Sequence, residues 1–468
     1  MLLSNARIGD TIVDVRIEGD AIAAVGSLAG SGIDLEGRWI VPGLWDNHVH
    51  FTQWALNRQR LDLGAATSAR HVAALVREAI GSSDAVPFVG IGFRDGLWPD
   101  APNLPDLDAV SGGRPVVLAS GDLHSVWLNS AALARYGHAG HATGLLREAD
   151  AFRITALVAQ LPVELTDGYA AEAALAAAAR GVVGIVDYEM TWNLDVWQRR
   201  RSQGDHTIRV EFGIYSNDLE RAIELGLFTG QQVGELLTVG RFKVLTDGSL
   251  NTRTAYCFDP YPGTDDHGVL TVAPQQLVPL MRRAAEAGIE PAVHAIGDHA
   301  TALALDAFAK IGHRGSIEHA QLVACDDFAR FAALGVIASV QPEHAMDDRD
   351  VADRYWAGRT DRTIALRSLA DAGATLAFGS DAPVAPLDPW ITADAAITRS
   401  RDGREPWHVE QAVSVAEAIA ASTRSRIAWG EPADLVVLDA DPYTSPLREM
   451  PVHATMVAGR WTHRTTGE

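Results

Sequence analysis

The sequence predicts an α/β protein, a (β/α)8 barrel with a small β-sandwich attached. Three observations carry that expectation. Apolar β-type runs alternate with Ala/Leu-rich helical segments through most of the chain, the pattern of parallel βα units. Eight such runs can be counted, the number that closes into a barrel. Both ends of the chain, by contrast, are rich in short strands. A length of 468 residues accommodates a barrel of roughly 250 residues with additions.

In chain order, Thr11 to Ile17 and Ala21 to Val25 read as strands around Glu18-Gly19-Asp20, a hairpin turn in which glycine supplies positive φ. A third strand near Arg38 to Val41 leads into the histidine strand, at the end of the run Val41-Pro42-Gly43-Leu44-Trp45-Asp46-Asn47-His48-Val49-His50, as the first barrel strand. The other seven are Gly181 to Glu189, Ile208 to Tyr215, Arg241 to Asp247, Ile289 to His294, Gly315 to His319, Gly335 to Gln341 and Thr375 to Ser380. About 130 positions separate His50 from Val182, far more than one crossover of a barrel needs. The surplus predicts an inserted subdomain after barrel strand one, with strands at Pro87 to Gly92 and Pro115 to Ala119. Loops on the catalytic face commonly carry recognition, so this insertion is expected to form part of the pocket wall. The chain closes with strands at Ala433 to Asp439 and Ala454 to Trp461. The resulting assignment gives residues 1–42 and 430–468 to the sandwich, 43–429 to the barrel, and 55–165 to the insertion.

Composition narrows the function. Hydrophobic residues make up 47% of the chain, enough for a large core, and the formal net charge is -21. That charge disfavours nucleic acid or an anionic membrane as partner. It is spread without long acidic blocks, as on a solvated surface. Cys257 and Cys325 stand far apart in no paired-ligand spacing, against a disulfide framework or a thiolate zinc site. Asp10, Asp14, Glu18 and Asp20 interrupt the N-terminal apolar positions, so that stretch is no signal peptide. The most apolar helical run, Ala170 to Ala179, contains Glu172 and is far too short to span a bilayer. The expectation is a cytoplasmic protein with a small-molecule substrate, by default a homodimer.

His48 and His50 leave one face of their strand about 6–7 Å apart and can grip one metal ion. Further ligand types sit at other strand ends: Lys243 in Phe-Lys-Val-Leu-Thr-Asp-Gly, His294 in Val-His-Ala-Ile-Gly-Asp, His319 in Ile-Glu-His-Ala, and Asp381 in Phe-Gly-Ser-Asp-Ala-Pro. Nitrogen and carboxylate ligands suit one or two zinc ions first, with manganese, iron, nickel or cobalt as alternatives. Phe242 and Val244 would face the outer helices, which turns Lys243 inward, where an unpaired ammonium is costly. Asp247, four residues on, is about 13 Å away along a strand and too far to pair with it. Burial beside cations depresses the lysine pKa, and the neutral amine can take up carbon dioxide. The carbamate so formed has two oxygens and can bridge two ions.

These residues resemble the amidohydrolase superfamily, within it the branch that includes N-substituted formamide deformylase. The resemblance runs from Ile40-Val41-Pro42-Gly43 through His48/His50, Asp247-Gly248-Ser249-Leu250 with Arg253-Thr254-Ala255, His294-Ala295-Ile296-Gly297-Asp298, Ile317-Glu318-His319-Ala320-Gln321, Ser339-Val340-Gln341-Pro342 and Gly379-Ser380-Asp381-Ala382-Pro383 to Ala433-Asp434-Leu435-Val436-Val437-Leu438. It implies a distorted barrel flanked by a β-sandwich, and hydrolysis at a one- or two-metal centre. His48, His50 and Asp381 would hold the more buried ion, His294 and His319 the more exposed one, with carboxylated Lys243 between them. The chemistry implied is cleavage of a non-peptide carbon-nitrogen bond in a small amide or N-formyl-type substrate by a metal-activated hydroxide. Asp381 would act as general acid/base, taking the proton of water and passing it to the departing amine. Rival readings are a one-metal, deaminase-like member with unmodified Lys243, and a non-catalytic barrel that binds a ligand or partner. The chain departs from the branch at Asn251-Thr252, where a Gly-Ser type pair is usual, and in a shortened stretch from Ser425 to Ala433.

Other residues are weighed against blander roles. His124 could reach over the metals to a carbonyl oxygen, or simply be a local hydrogen-bonding histidine. Asp247 and Arg253 flank a turn after the lysine strand and are candidate substrate-binding residues, although a structural salt bridge suits Asp247 better. Glu318, next to His319, is expected on the opposite face of its strand. Asp298 is expected to cap a helix ahead of His299. His138 and His141 lie in a glycine-rich loop, and Phe93, Trp98 and Trp127 could form an apolar substrate wall or pack in a core.

Overall fold

The structure, a computed structural model, describes residues 1–465 apart from 83, 96–97, 122–124 and 148, and only the backbone of 152. It divides into two compact units, Met1–Phe51 with Ala174–Glu468, and Thr52–Ala173.

The first unit contains the barrel. Its strands are β1 (Leu44–Val49), β2 (Val182–Asp187), β3 (Arg209–Tyr215), β4 (Leu237–Leu245), β5 (Pro291–Ala295), β6 (Gly315–His319), β7 (Val336–Val340) and β8 (Leu376–Phe378). They pair in parallel and in chain order. β4 begins earlier than its apolar run suggested, because Leu237 and Thr238 also pair with a short strand at Gln232–Gly234. Only three residues of β8 are regular strand, and the seam to β1 is completed by the residues just after it. Asp381 N donates to His48 O at 2.7 Å and His50 N to Ala382 O at 2.8 Å. The seam needs Gly379, since a Cβ there would sit 2.6 Å from His48 N, and only glycine tolerates so close an approach.

Both chain ends build one further sheet in the same unit. Its order is Arg460–Arg464, Val452–Val457, Leu435–Leu438, Trp39–Pro42, Leu2–Ile8, Thr11–Glu18, Ala21–Gly26, with Ile33–Asp34 beside Leu2–Ile8. The sheet folds back on itself where Ala21 bridges to Pro432, and encloses Leu3, Ile17, Ile22, Ile40, Leu435, Val437 and Met456. The sandwich is thus one continuous sheet. Leu2–Ile8 has no counterpart in the sequence reading: Ser4 and Asn5 break its apolar alternation, and Asn5 adopts a φ of 54° at a register shift.

The second unit carries a five-stranded sheet ordered Leu145–Arg147, Ser125–Leu128, Val116–Ser120, Phe88–Phe93, Leu61–Asp62. Phe93 and Trp127 are fully buried among Leu63, Val72, Val76 and Leu118, with Trp98 packed against them. Phe93 and Trp127 are therefore core residues of the insertion. His138 Nε2 lies against Arg153 and Asp150, a local contact. Among the described residues, no helix is long and apolar enough to cross a membrane.

Candidate metal centre

The C-terminal ends of the barrel strands bring distant residues together. Period-two alternation on β1 turns Asp46, His48 and His50 to the interior. Asp381 enters across the seam, so its Oδ1 lies 3.4 Å from His50 Nε2 and 3.6 Å from His48 Nε2. Nitrogen and oxygen ligands held about 2.0–2.2 Å from a tetrahedral ion stand roughly 3.4 Å apart. His48, His50 and Asp381 therefore fit one divalent ion with little movement. His50 Nδ1 and His319 Nδ1 are buried without a hydrogen-bond partner among the described residues.

Lys243, on β4, is buried with its Nζ 3.1 Å from His48 Nε2 and 4.3 Å from the centre of the Tyr188 ring. Burial pushes its pKa down to about 8, against the pull of Glu318 and Asp381. His294, one residue before the end of β5, and His319, ending β6, have ring centres 4.4 Å apart and planes meeting at 68°. Burial, reinforced by Lys243, drives His294 down to about 3, and burial with the neighbouring His294 holds His319 far below the ordinary imidazole value. Neutral imidazole is the form that offers a lone pair to a metal. Burial alone would raise Asp381, but its neighbouring imidazoles, first of all His50 through a hydrogen bond, outweigh it and leave a carboxylate well below the usual range.

The barrel interior below the ligand-type residues is polar, and here the expectation for Glu318 fails. Its Oε2 lies 2.7 Å from His48 Nδ1, and Oε1 accepts from Tyr188 Oη at 3.3 Å and from Ser316 Oγ. Burial opposes ionisation of Glu318, yet the bond to His48 holds its pKa at about 2. The carboxylate fixes a proton on His48 Nδ1 and frees Nε2 for a ligand role, as carboxylate-histidine pairs do beside metals. Strand alternation mispredicts this because His319 has a φ of 73°. The twist lets two consecutive residues, Glu318 and His319, serve the same site. Asp381 too sits in the left-handed region, at φ 56°, and such non-glycine strain of about 1–3 kcal/mol gathers at functional sites.

Asp247 is not in a salt bridge with Arg253. Its buried carboxylate accepts backbone N–H groups of Tyr256, Ile296 and Gly297 at 2.8–3.3 Å, and Oδ1 lies 3.5 Å from His294 Nε2. It clamps the turn after β5 and orients His294. Burial raises its pKa to about 7 despite those donors. Gly297 precedes the helix α1 (Asp298–Ile311) as its N-cap residue, so Asp298 is not the cap: it accepts from Phe258 N. Arg253 is exposed, its guanidinium 5.6 Å over the Tyr355 ring. His124 lies outside the described residues. One histidine was missed entirely: His344, the first residue of helix α2 (His344–Tyr355), brings Nε2 to 3.9 Å from Asp381 Oδ2. The clue was available, because β7 was the strand after Lys243 to which no functional side chain had been assigned.

Residues 31–463 match the Amidohydrolase family. Protein LONG AFTER FAR-RED 3 of Arabidopsis thaliana is 29% identical, covering 95% of this chain and 87% of its own. N-substituted formamide deformylase of Arthrobacter pascens is 24% identical, covering 100% of this chain and 95% of its own. The crystal structure of an uncharacterized metal-dependent hydrolase from Pyrococcus furiosus is 25% identical with a TM-score of 0.78, covering 95% of this chain and 99% of that one.

Proposed function

The chain belongs to the amidohydrolase family, and on that premise we propose that it hydrolyses a carbon-nitrogen bond of a small amide, N-formyl or related compound. The observation that carries the reading is the approach of His48 and His50 to one oxygen of Asp381 at ion-sharing distances. In this proposal His48, His50 and Asp381 hold one divalent ion, zinc being the first candidate. His294 and His319 hold a second, and Lys243 in carboxylated form lies between them. The low lysine pKa supports carboxylation, since the neutral amine is the form that adds carbon dioxide. When bound, such ions acidify water and polarise a carbonyl.

The protein's own residues do the rest. Asp381 takes the proton of the attacking water and returns it to nitrogen, because amide cleavage requires a protonated leaving amine. Glu318 keeps His48 in one tautomer, and the Gly248 carbonyl, with Asp247 beside it, faces Nε2 of His294. Similarity to a formamide deformylase supports N-formyl compounds as the first class to try. Two free cysteines, one of them exposed, suit a reducing cytoplasm. The test is metal analysis of the purified protein together with hydrolysis assays on formanilides, N-acyl amino acids, carbamates and cyclic amides. About two ions per chain and turnover of one class support the reading. One ion favours a mononuclear, deaminase-like variant, and neither metal nor turnover overturns it.

A further inference from the structure

His344 has no place in that scheme, yet it is among the most carefully held side chains near the site. It opens α2, and its backbone N–H donates to Gln341 O at 3.1 Å. The preceding Glu343 is buried and gripped from two sides, by Arg401 at 2.9 Å and by both guanidinium nitrogens of Arg448 at 3.1 and 2.7 Å. Arg401 is tied in turn to Asp347, and Arg448 to Asp394. So firm a mount ends in a ring that is only 7% exposed and whose Nε2 has no hydrogen-bond partner among the described residues. A buried imidazole nitrogen left unbonded is unfavourable. The nitrogen points at Asp381 Oδ2, the oxygen turned away from His48 and His50.

A role as a further metal ligand is the competing account, because His319, His344 and Asp381 stand close enough together to share an ion, although the distances favour it less than they favour His48 and His50. The 3.9 Å gap to Oδ2 is wider than the 3.4 and 3.6 Å approaches of His50 and His48 to Oδ1. The His344 and His319 rings are stacked, with planes 17° apart and centres 6.2 Å apart. Near-parallel planes do not by themselves exclude a shared ion, so the metal content of a His344 variant decides the point. The His294 and His319 planes meet at 68°, which allows convergence.

Building on the amide-hydrolase reading, we propose that His344 is a catalytic residue whose Nε2–H donates to the carbonyl oxygen of the scissile amide. As the water oxygen bonds to the carbonyl carbon, the C=O π pair moves onto that oxygen and Asp381 takes the water proton. His344 stabilises the resulting oxyanion as a preorganised donor. Collapse of the intermediate re-forms the C=O bond and breaks the C–N bond, with the proton leaving on nitrogen. The substrate class that follows has an acceptor oxygen on the carbon that loses the amine.

The experiment compares wild type, His344→Ala and His344→Gln on the panel named above, with metal analysis of each. For the substrate turned over it adds the matching thioamide, whose sulfur is a weak acceptor. Loss of one oxyanion donor predicts a kcat lower by about 10²–10³-fold in His344→Ala, with metal content unchanged and KM little altered. Glutamine, which still offers an N–H, restores part of the loss, and the penalty shrinks on the thioamide. Loss of a metal equivalent in His344→Ala, an unchanged kcat, or an equal penalty on amide and thioamide each overturns the role of His344 alone. A wild type inert to the whole panel overturns the amide-hydrolase reading, and this role with it.

Discussion

Glu318 and His48 show how much of the site depends on single atoms. The 2.7 Å contact joins two side chains that are each 1% exposed, so it is not weakened by solvent. Glu318→Gln keeps the shape and removes the charge. It is expected to weaken divalent-ion affinity by about tenfold or more, measured by competition against a chelating dye, and unchanged affinity would show that the charge does not tune His48. At this scale the sequence was half legible. His48 and His50 could be paired from period two alone, and Lys243 stands out because its neighbours are apolar. Glu318 could not be read, because nothing local announces the positive φ of His319. His344 escaped because it sits past the strand end, in Gln341-Pro342-Glu343-His344, where strand periodicity no longer says which way a side chain faces.

At the scale of elements, eight barrel strands were legible because buried parallel strands are continuous apolar runs. Their ends were less so, since hydrogen bonding to a neighbour, as in β4, extends a strand beyond its apolar stretch. The seam between β1 and β8 is the weakest by regular pairing and the most demanding sterically. Gly379→Ala is expected to cost about 1–3 kcal/mol, as overpacked sites do, and to lower metal content by displacing His48; a denaturant melt and metal analysis check both. A second element test concerns the capping box of the helix Val415–Ala421, where Ser414 and Glu417 bond reciprocally. Ser414, and after it Arg367, hold the Glu417 pKa at about 2. A depressed carboxyl contributes stability that is present above its unfolded value near 4.5 and is lost as pH falls through about 2. Glu417→Ala is therefore expected to cost about 1 kcal/mol at pH 7, and the difference from wild type to vanish toward pH 2 in parallel melts.

At the scale of the molecule, the terminal sheet is tied to the barrel by Asp434. Its carboxylate accepts from Arg209 at 2.7 and 3.1 Å and from Ala458 N at 2.8 Å, and it is 4% exposed. Asp434→Ala leaves that guanidinium short of a partner, and a loss of about 3 kcal/mol is expected, read as a lower denaturation midpoint with the fold retained. A midpoint equal to wild type would show that the tie is structurally idle. That both termini build one β-rich unit was readable from their strand-rich composition, whereas its being a single continuous sheet was not, because pairing order depends on contacts between segments hundreds of residues apart.

The seam has one more implication. Asn47 Nδ2 reaches Phe378 O across 331 positions of chain, and the flanking strands lie further on, to Arg464. During synthesis more than 300 residues follow His48 before Asp381 is made. Closure over so long a loop is late and slow. Until that moment a nascent chain holds its first histidines without their carboxylate, and a product that stops before Asp381 lacks that ligand-type residue altogether.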